Sequence, residues 1–213
     1  PYRWAMSDDG KELLGMCQRF GPYSFVVNTD EASRAAAEDQ GWDLWNDPSN
    51  KLKYAVQETD DWNIFSLCLI AGFDPFRPHT DEEVKKFTDA ANRLFKNAKL
   101  VGDIPTLNQG LISGEIDVYI PGGTYSASPA RADGAKNIRG VTPKKGPMAG
   151  GKGGVSWIEV TSAVNNPQLS PLATEFLKYV QQPDTAHTVA FAEGTFNPVA
   201  QMGNPDCFKL FTK

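Results

Sequence analysis

Segments with the composition of β-strands alternate along this chain with segments that have the apolar periodicity of helices. The strand-like segments are rich in β-branched and aromatic residues, and they cover residues 23–28, 52–57, 115–120, 137–142 and 155–160. Between them, capping residues and glycines bound helical patterns at residues 29–40, 62–71, 104–113, 168–181 and 183–193, and a further helix opens at Thr80. This alternation predicts an α/β fold with a mostly parallel sheet.

The composition excludes some classes of function. With 213 residues, of which 40% are hydrophobic, the chain can form one large domain or two small ones. Its formal net charge of -5 provides no overall positive field, so nucleic acid is not an expected partner. No run of apolar residues reaches the roughly 18 that a membrane-spanning helix requires.

The cysteines and histidines do not form a recognisable metal motif. Cys17, Cys68 and Cys207 are far apart and lack CxxC spacing, so we expect no metal and no cofactor. Cys17 and Cys207 could form a disulfide in an oxidising compartment, or there could be no bridge. Cys68 lies in an apolar helical run, which predicts that it is buried.

One predicted strand carries an indole and a carboxylate on the same face. Within residues 155–160, alternation places Trp157 and Glu159 side by side. A Trp face attracts an ammonium group, and a Glu supplies the opposite charge, so this pair suits a small cation. The alternative is a core Trp beside a Glu at a strand edge.

Two other features each have a structural and a functional interpretation. Asp60 and Asp61 precede a helix, where carboxylates commonly cap the N-terminus, and one of them could also bind a ligand. Residues 146–153 approach a P-loop pattern, but Gly153 stands where Ser or Thr is required and a strand follows. We therefore interpret this glycine-rich segment as a flexible connection between two lobes.

Several short segments occur in an order that resembles the spermidine/putrescine-type substrate-binding proteins of bacterial ABC transporters. That family has the type II periplasmic binding fold, and the resemblance covers nearly the whole chain. The segments that carry it are Pro1-Tyr2-Arg3-Trp4, Trp42-Asp43-Leu44-Trp45 with Asp47-Pro48, Thr59-Asp60-Asp61, Gly72-Phe73, residues 111–118, Pro143-Lys144-Lys145-Gly146, Trp157-Ile158-Glu159 and Asn166-Pro167.

The resemblance implies a periplasmic protein with two α/β lobes, mostly parallel sheets and helices on both faces. Residues 1–28 would form a crossing between lobes, residues 29–145 the second lobe, and residues 146–213 the return crossing and part of the first lobe. On this resemblance, neither the family's N-terminal strands and helices nor its further helices after Lys213 have a counterpart here. The first lobe would then be incomplete, and the chain would be a fragment of a longer binding protein or one part of a split or cleaved protein. The implied partners are a small-molecule ligand and the membrane permease, and the protein would be a monomer that a missing N-terminal segment could complete.

The resemblance also implies which residues bind the ligand in a cleft between the lobes. The family's Trp-x-Asp matches Trp157 and Glu159, and its acid at the start of a second-lobe helix matches Asp61. Further candidates for the cleft wall are Trp62, Thr124 and Tyr125. The family's second acid is replaced, because Asn63 and Ile64 stand there. The expected ligand is therefore a small cationic or zwitterionic nitrogen compound: polyamine-like, amino-acid-like or a quaternary amine.

Two alternatives remain. The same fold could bind an anion or a metal, although the predicted cleft strand carries an acid rather than Arg and no metal-binding cluster is visible. An enzyme is disfavoured because the only histidines, His79 and His187, lie outside any GxSxG or HExxH motif. We expect a binding protein without catalytic activity.

Overall fold

The computed structural model describes residues 5–47 and 49–210 of the chain. The Pro1-Tyr2-Arg3-Trp4 segment and Pro48, both used for the family resemblance, lie outside these residues. The chain divides into two compact units. Unit 1 consists of Pro1–Gly21 and Ser156–Lys213, and unit 2 is the continuous segment Pro22–Val155.

Unit 2 contains an α/β sheet. Its strands are the second part of β1 (Met16–Asn28), followed by β2 (Tyr54–Gln57), β3 (Leu100–Gly102), β4 (Val118–Gly122) and β5 (Ile138–Val141). The strand order is β3-β2-β4-β1-β5. Strand β2 is parallel to β3 and to β4, whereas β1 is antiparallel to β4 and to β5. The parallel sheet expected from the sequence is thus joined by one long antiparallel strand.

The helices of unit 2 connect these strands. They are α1 (Arg34–Gln40), α2 (Asp60–Ala71), α3 (Asp81–Asn97), α4 (Ile104–Ser113) and α5 (Thr124–Ala132). Val26, Tyr119 and Ile138 from three neighbouring strands are fully buried with Leu107 and Leu111 of α4. Burial of these side chains holds the sheet against its helices, because each large apolar side chain contributes about 1.5 to 3 kcal/mol.

Unit 1 has a much smaller core. It contains the first part of β1, strand β6 (Val155–Thr161), which pairs with β1, and the helices α6 (Pro171–Tyr179), α7 (Pro183–Glu193), α8 (Ala200–Gly203) and α9 (Pro205–Leu210). Its buried cluster consists of Ala186, Ala200 and Cys207. Helix α6 has no buried residue. Unit 1 therefore leaves much of its apolar surface exposed.

The glycine-rich segment 146–153 is packed within unit 2. The Trp42 indole N–H donates to the Gly153 carbonyl oxygen at 2.8 Å, and the Gly146 N–H donates to the Gly151 carbonyl oxygen at 3.0 Å. A Cβ atom on Gly153 would lie 2.2 Å from the Lys145 carbonyl oxygen. The segment is therefore held by specific contacts and is not the flexible connection that we expected, and Gly146 and Gly153 are needed for close backbone contact.

All three cysteines are buried thiols. The Cys207 Sγ donates to the Pro183 carbonyl oxygen at 3.7 Å. Cys68 is 3% exposed, which confirms its expected buried position. Burial raises its pKa to about 11, so the thiol stays protonated at neutral pH. Among the described helices, none is both long and apolar enough to cross a membrane.

Candidate functional site

The first candidate face lies at one edge of the unit 2 sheet. Strands β2 and β4 are parallel neighbours, with Val56 opposite Ile120, so their carboxyl ends reach the same edge. Helix α2 begins three residues after β2, and α5 begins two residues after β4. The N-termini of both helices therefore meet there, which is where ligands bind in open α/β sheets.

Three aromatic side chains form a contiguous group at this edge. The Trp62 ring lies 5.7 Å from that of Tyr125 and 5.2 Å from that of Tyr23, measured between centroids. The Tyr23 hydroxyl donates to the Trp62 carbonyl oxygen and also hydrogen-bonds the Ser66 hydroxyl. We call Tyr23, Trp62 and Tyr125 the aromatic group. Its partly exposed members, Trp62 and Tyr125, can contact a ligand.

The two phenols of the aromatic group are uncharged at physiological pH. Burial raises the pKa of Tyr23 and that of Tyr125 well above the ordinary value of 10. Any full negative charge at this edge must therefore come from a carboxylate.

Asp61 supplies such a carboxylate. It lies in the first turn of α2, beside Trp62, and is exposed. Its Oδ1 atom accepts a hydrogen bond from the Trp62 N–H at 3.0 Å. This contact is weaker than an ion pair, so the carboxylate can also attract a ligand cation.

Several buried acceptors at the same edge lack hydrogen-bond partners. Within the described residues, no donor reaches Gln57 Oε1, Thr59 Oγ1, Asn63 Oδ1 or Thr124 Oγ1. The residues Gln57, Thr59 and Asn63 are joined by hydrogen bonds. The Asn63 side-chain amide donates to the Gln57 backbone carbonyl oxygen at 2.8 Å, and the Asn63 backbone N–H donates to the Thr59 backbone carbonyl oxygen at 3.1 Å. Buried polar atoms without a partner are costly; the side-chain oxygens of Gln57 and Asn63 can only accept a hydrogen bond, whereas the two Thr hydroxyls can donate or accept one.

The second candidate face lies in unit 1, on β1 and β6. As alternation predicts, Trp157 and Glu159 are partly buried while Ser156 and Ile158 are exposed. The Trp157 ring lies directly against Gly21, since a Cβ atom there would be 2.9 Å from Trp157 Cζ2. A side chain at position 21 would displace the indole, so the glycine is required by close packing.

Glu159 is engaged in an ion pair. The Arg19 Nε donates to Glu159 Oε1 at 3.1 Å, and the Arg19 Nη2 donates to Glu159 Oε2. The Arg19 Nη1 also donates to Glu193 Oε2 at 3.0 Å. The hydrogen bonds with Glu159 raise the pKa of Arg19 above its ordinary value, so the guanidinium stays charged. The predicted cleft strand carries an acid and no Arg, but the neighbouring strand β1 brings the positive charge of Arg19 beside that acid.

The six residues proposed from the sequence separate into two groups. Asp61, Trp62, Thr124 and Tyr125 lie together in unit 2, and Trp157 and Glu159 lie together in unit 1. The sequence analysis missed Arg19 and Tyr23. Arg19 could have been found if the strand had been extended through Gly21-Pro22, because strand periodicity then puts residues 17, 19 and 21 on one face.

The metal-ligating side chains of the described residues are dispersed, and both histidines have local contacts. Among residues 5–47 and 49–210, no group of three or more His, Cys, Asp or Glu side chains is arranged to hold a metal ion. His79 Nε2 lies 2.9 Å from the Asp74 carbonyl oxygen, and the His187 ring lies 4.5 Å from that of Phe191. The first contact is a hydrogen bond and the second is a contact between rings.

Comparison with known protein families shows which family this chain belongs to. The family described as bacterial extracellular solute-binding protein matches residues 2–208. The chain belongs to this family. The family consists of binding proteins, which agrees with the expectation from sequence, and its description places them outside the cytoplasm.

Solved structures of solute-binding proteins share the fold. The spermidine/putrescine ABC transporter substrate-binding protein PotD from Streptococcus pneumoniae, in complex with calcium and HEPES, has a TM-score of 0.70 at 16% identity and matches 100% of this chain. The protein AgtB from A. tumefaciens in complex with agropinic acid has a TM-score of 0.63 at 14% identity over 99% of this chain. The GacH receptor of Streptomyces glaucescens, known with acarbose, has a TM-score of 0.63 at 11% identity over 98%. These similarities confirm the periplasmic-binding-protein fold.

The chain spans about three fifths of the length of these solute-binding proteins. It covers 62% of the PotD chain, 64% of AgtB and 60% of GacH. Comparison with curated protein sequences gives no significant match.

Proposed function

We propose that this chain is the solute-binding part of a bacterial ABC importer, acts in the periplasm, and binds a small cationic or zwitterionic nitrogen compound without catalysis. The family membership supports the class of protein. The class of ligand must be inferred from the residues of this chain, because the structurally similar proteins are known with ligands as different as agropinic acid and acarbose.

The observation that carries the ligand class is the edge of the unit 2 sheet. There the exposed Asp61 carboxylate adjoins the Trp62–Tyr125 pair, in a setting of acceptors that lack donors. Each aromatic ring can contribute about 0.5 to 2 kcal/mol to an ammonium group, and the carboxylate supplies the opposite charge. A neutral sugar or an anion would leave that charge uncompensated.

The test is ligand-dependent thermal unfolding of the full-length gene product. The panel contains polyamines, amino acids, betaines, sugars and inorganic anions. A ligand at about 100 times its dissociation constant adds about 2.7 kcal/mol of stability, which raises the midpoint by several degrees. We expect a shift with nitrogen compounds, whereas a shift with sugars or anions alone would contradict the proposal.

Matched variants assign the shift to the proposed residues. Trp62→Ala should weaken binding about 2- to 30-fold through the lost ring contact, and Asp61→Asn should weaken binding of cations. The controls are Phe95→Ala and Asp89→Asn on α3, which alter an exposed aromatic and an exposed carboxylate elsewhere in unit 2. Equal loss in the control variants would contradict the assignment of Trp62 and Asp61.

We also propose that a further segment covers the apolar face of unit 1. Helix α6 exposes 73% of Leu172, 55% of Phe176 and 62% of Tyr179, and their i, i+4, i+7 spacing puts them on one face. An exposed apolar helix face of this kind normally lies under a partner. We propose that an N-terminal segment covers this face. It would supply part of the length by which the structural relatives exceed this chain. So completed, the protein would act as a monomer that delivers its ligand to the membrane permease.

A further inference from the structure

Arg19 is the charged group around which the unit 1 face is arranged. Its guanidinium donates two hydrogen bonds to Glu159 and one to Glu193, and 25% of the side chain is exposed. Strand periodicity puts Arg19 on the same face as Gly21, against which the Trp157 indole lies. Arg19 therefore lies beside the aromatic surface of this face.

The contacts of Glu159 limit what it can do for a cationic ligand. Both of its carboxylate oxygens accept hydrogen bonds from Arg19, so its charge is already compensated. A ligand ammonium group at Trp157 would meet a guanidinium as well as a carboxylate. A ligand with positive charges alone is therefore poorly matched to this face.

The contact with Glu193 is the one that a ligand can replace. It is a single hydrogen bond of 3.0 Å from Arg19 Nη1, and the Glu193 side chain is 57% exposed. Exposed ion pairs of this kind contribute little to stability, so their exchange is easy. A carboxylate on the ligand could take the place of Glu193, because a guanidinium binds planar carboxylates through parallel N–H donors.

We infer that Arg19 is a specificity-determining residue that binds a carboxylate of the ligand, so that the solute is an amino-acid-like zwitterion and not a simple amine or polyamine. This inference rests on the proposed function. In this arrangement Glu159 orients Arg19, Trp157 contacts the alkyl or ammonium part of the solute, and Glu193 occupies the carboxylate position when no ligand is bound.

The experiment compares ligands that differ mainly in one carboxylate. Isothermal titration calorimetry of the full-length gene product is performed with L-lysine and cadaverine, and with glycine betaine and choline. In at least one of the two pairs, we expect the ligand with the carboxylate to bind about tenfold tighter or more. A hydrogen bond to a charged group changes affinity by about this factor. Arg19→Gln should abolish this preference, and Arg19→Lys should retain only part of it because the planar fork is lost.

Two further variants separate carboxylate binding from a structural role of the ion pair. Glu193→Gln should strengthen binding of the carboxylated member, since the competing carboxylate is removed; a purely structural ion pair predicts no gain. Lys178→Gln removes an exposed positive charge of unit 1 that is paired with Glu175, and should leave the preference unchanged.

The outcomes distinguish this inference from the proposed function. Binding of cadaverine or choline as tightly as the carboxylated partner, or a preference that survives in Arg19→Gln, would overturn the role of Arg19 and leave the proposed function standing. Failure of every nitrogen compound to bind the wild-type protein would overturn both.

Discussion

Tyr23 links the backbone of the candidate site to the core of unit 2. Its ring is 97% buried, and its hydroxyl hydrogen-bonds both the Trp62 carbonyl oxygen and the Ser66 hydroxyl. Removal of one partner from a buried hydrogen bond leaves the other group unpaired. The position of Trp62 in the first turn of α2 therefore depends on a residue that itself does not face solvent.

We predict that Tyr23→Phe lowers the free energy of unfolding by about 1 to 3 kcal/mol, because the Ser66 hydroxyl and the Trp62 carbonyl lose their buried partner. Urea denaturation measures this change. Tyr179→Phe is the control, since Tyr179 is 62% exposed, and it should alter stability by less than about 0.5 kcal/mol. An unchanged urea midpoint for Tyr23→Phe would show that these hydrogen bonds are not needed.

At the residue scale, strand alternation was sufficient to place Trp157 and Glu159 side by side. The carboxylates expected at the start of α2 lie in its first turn, where Thr59 and neither Asp60 nor Asp61 is the N-cap residue. Arg19 was not predicted because glycine followed by proline usually marks a turn. Here β1 continues through Gly21-Pro22, and the glycine is needed by the Trp157 indole. Gly21 and Trp157 are 136 positions apart, so their contact leaves no local signal in the sequence.

At the scale of elements, α3 shows how local side chains define a helix start. Thr80 accepts from the Glu83 N–H at 3.3 Å, and Glu83 Oε2 accepts from the Thr80 N–H at 3.0 Å, which confirms the predicted capping box. Glu83 also forms an ion pair with Arg77. The Arg77 guanidinium, followed by the Thr80 N–H, lowers the pKa of Glu83 to about 2.

This lowered pKa gives the start of α3 a defined pH dependence. Because the pKa of Glu83 is lower in the folded state than in the unfolded state, its contribution to stability is complete above the ordinary carboxyl value of 4.5 and is lost as the pH falls through about 2. We predict that Arg77→Gln moves the pKa of Glu83 upward toward 4.5. An NMR titration of the Glu83 side-chain carboxyl carbon measures this shift, and an unchanged pKa would exclude Arg77 as its cause.

Elements with capping signals at both ends were the most predictable. Helix α4 occupies the predicted residues 104–113, because Asp103 caps its start and Gly114 ends it in a left-handed conformation. Strand β3 was missed because three residues are too few to show periodicity. Strand β4 begins at Val118 instead of Glu115 and extends to Gly122, since the two glycines that look like a turn let α5 approach β1.

At the scale of the whole molecule, the exposed face of α6 determines what the chain needs for stability. We predict that Phe176→Glu has less than about 0.5 kcal/mol of effect on the chain of residues 1–213 by itself, because Phe176 is already exposed there. In a longer chain that contains the proposed N-terminal segment, the same change should cost about 3 kcal/mol or more, because the proposal puts Phe176 under that segment. Chemical denaturation of both proteins measures the difference.

Phe95→Glu on α3 is the matched control, since it replaces a partly exposed Phe of unit 2. It should act equally in the two proteins. An equal effect of Phe176→Glu in the two proteins would show that no segment covers α6.

The order in which the two units are synthesised follows from the way the chain is divided between them. Unit 2 is one uninterrupted segment inserted into unit 1, whose parts come from residues 1–21 and 156–213. On the ribosome, residues 22–155 of unit 2 are therefore complete before residues 156–213 of unit 1 are translated, and domains generally fold as units during synthesis. The early strand residues of unit 1, Arg19 among them, must wait for β6 to emerge before Glu159 can reach them, so the ion pair between Arg19 and Glu159 forms only after unit 2 has been synthesised.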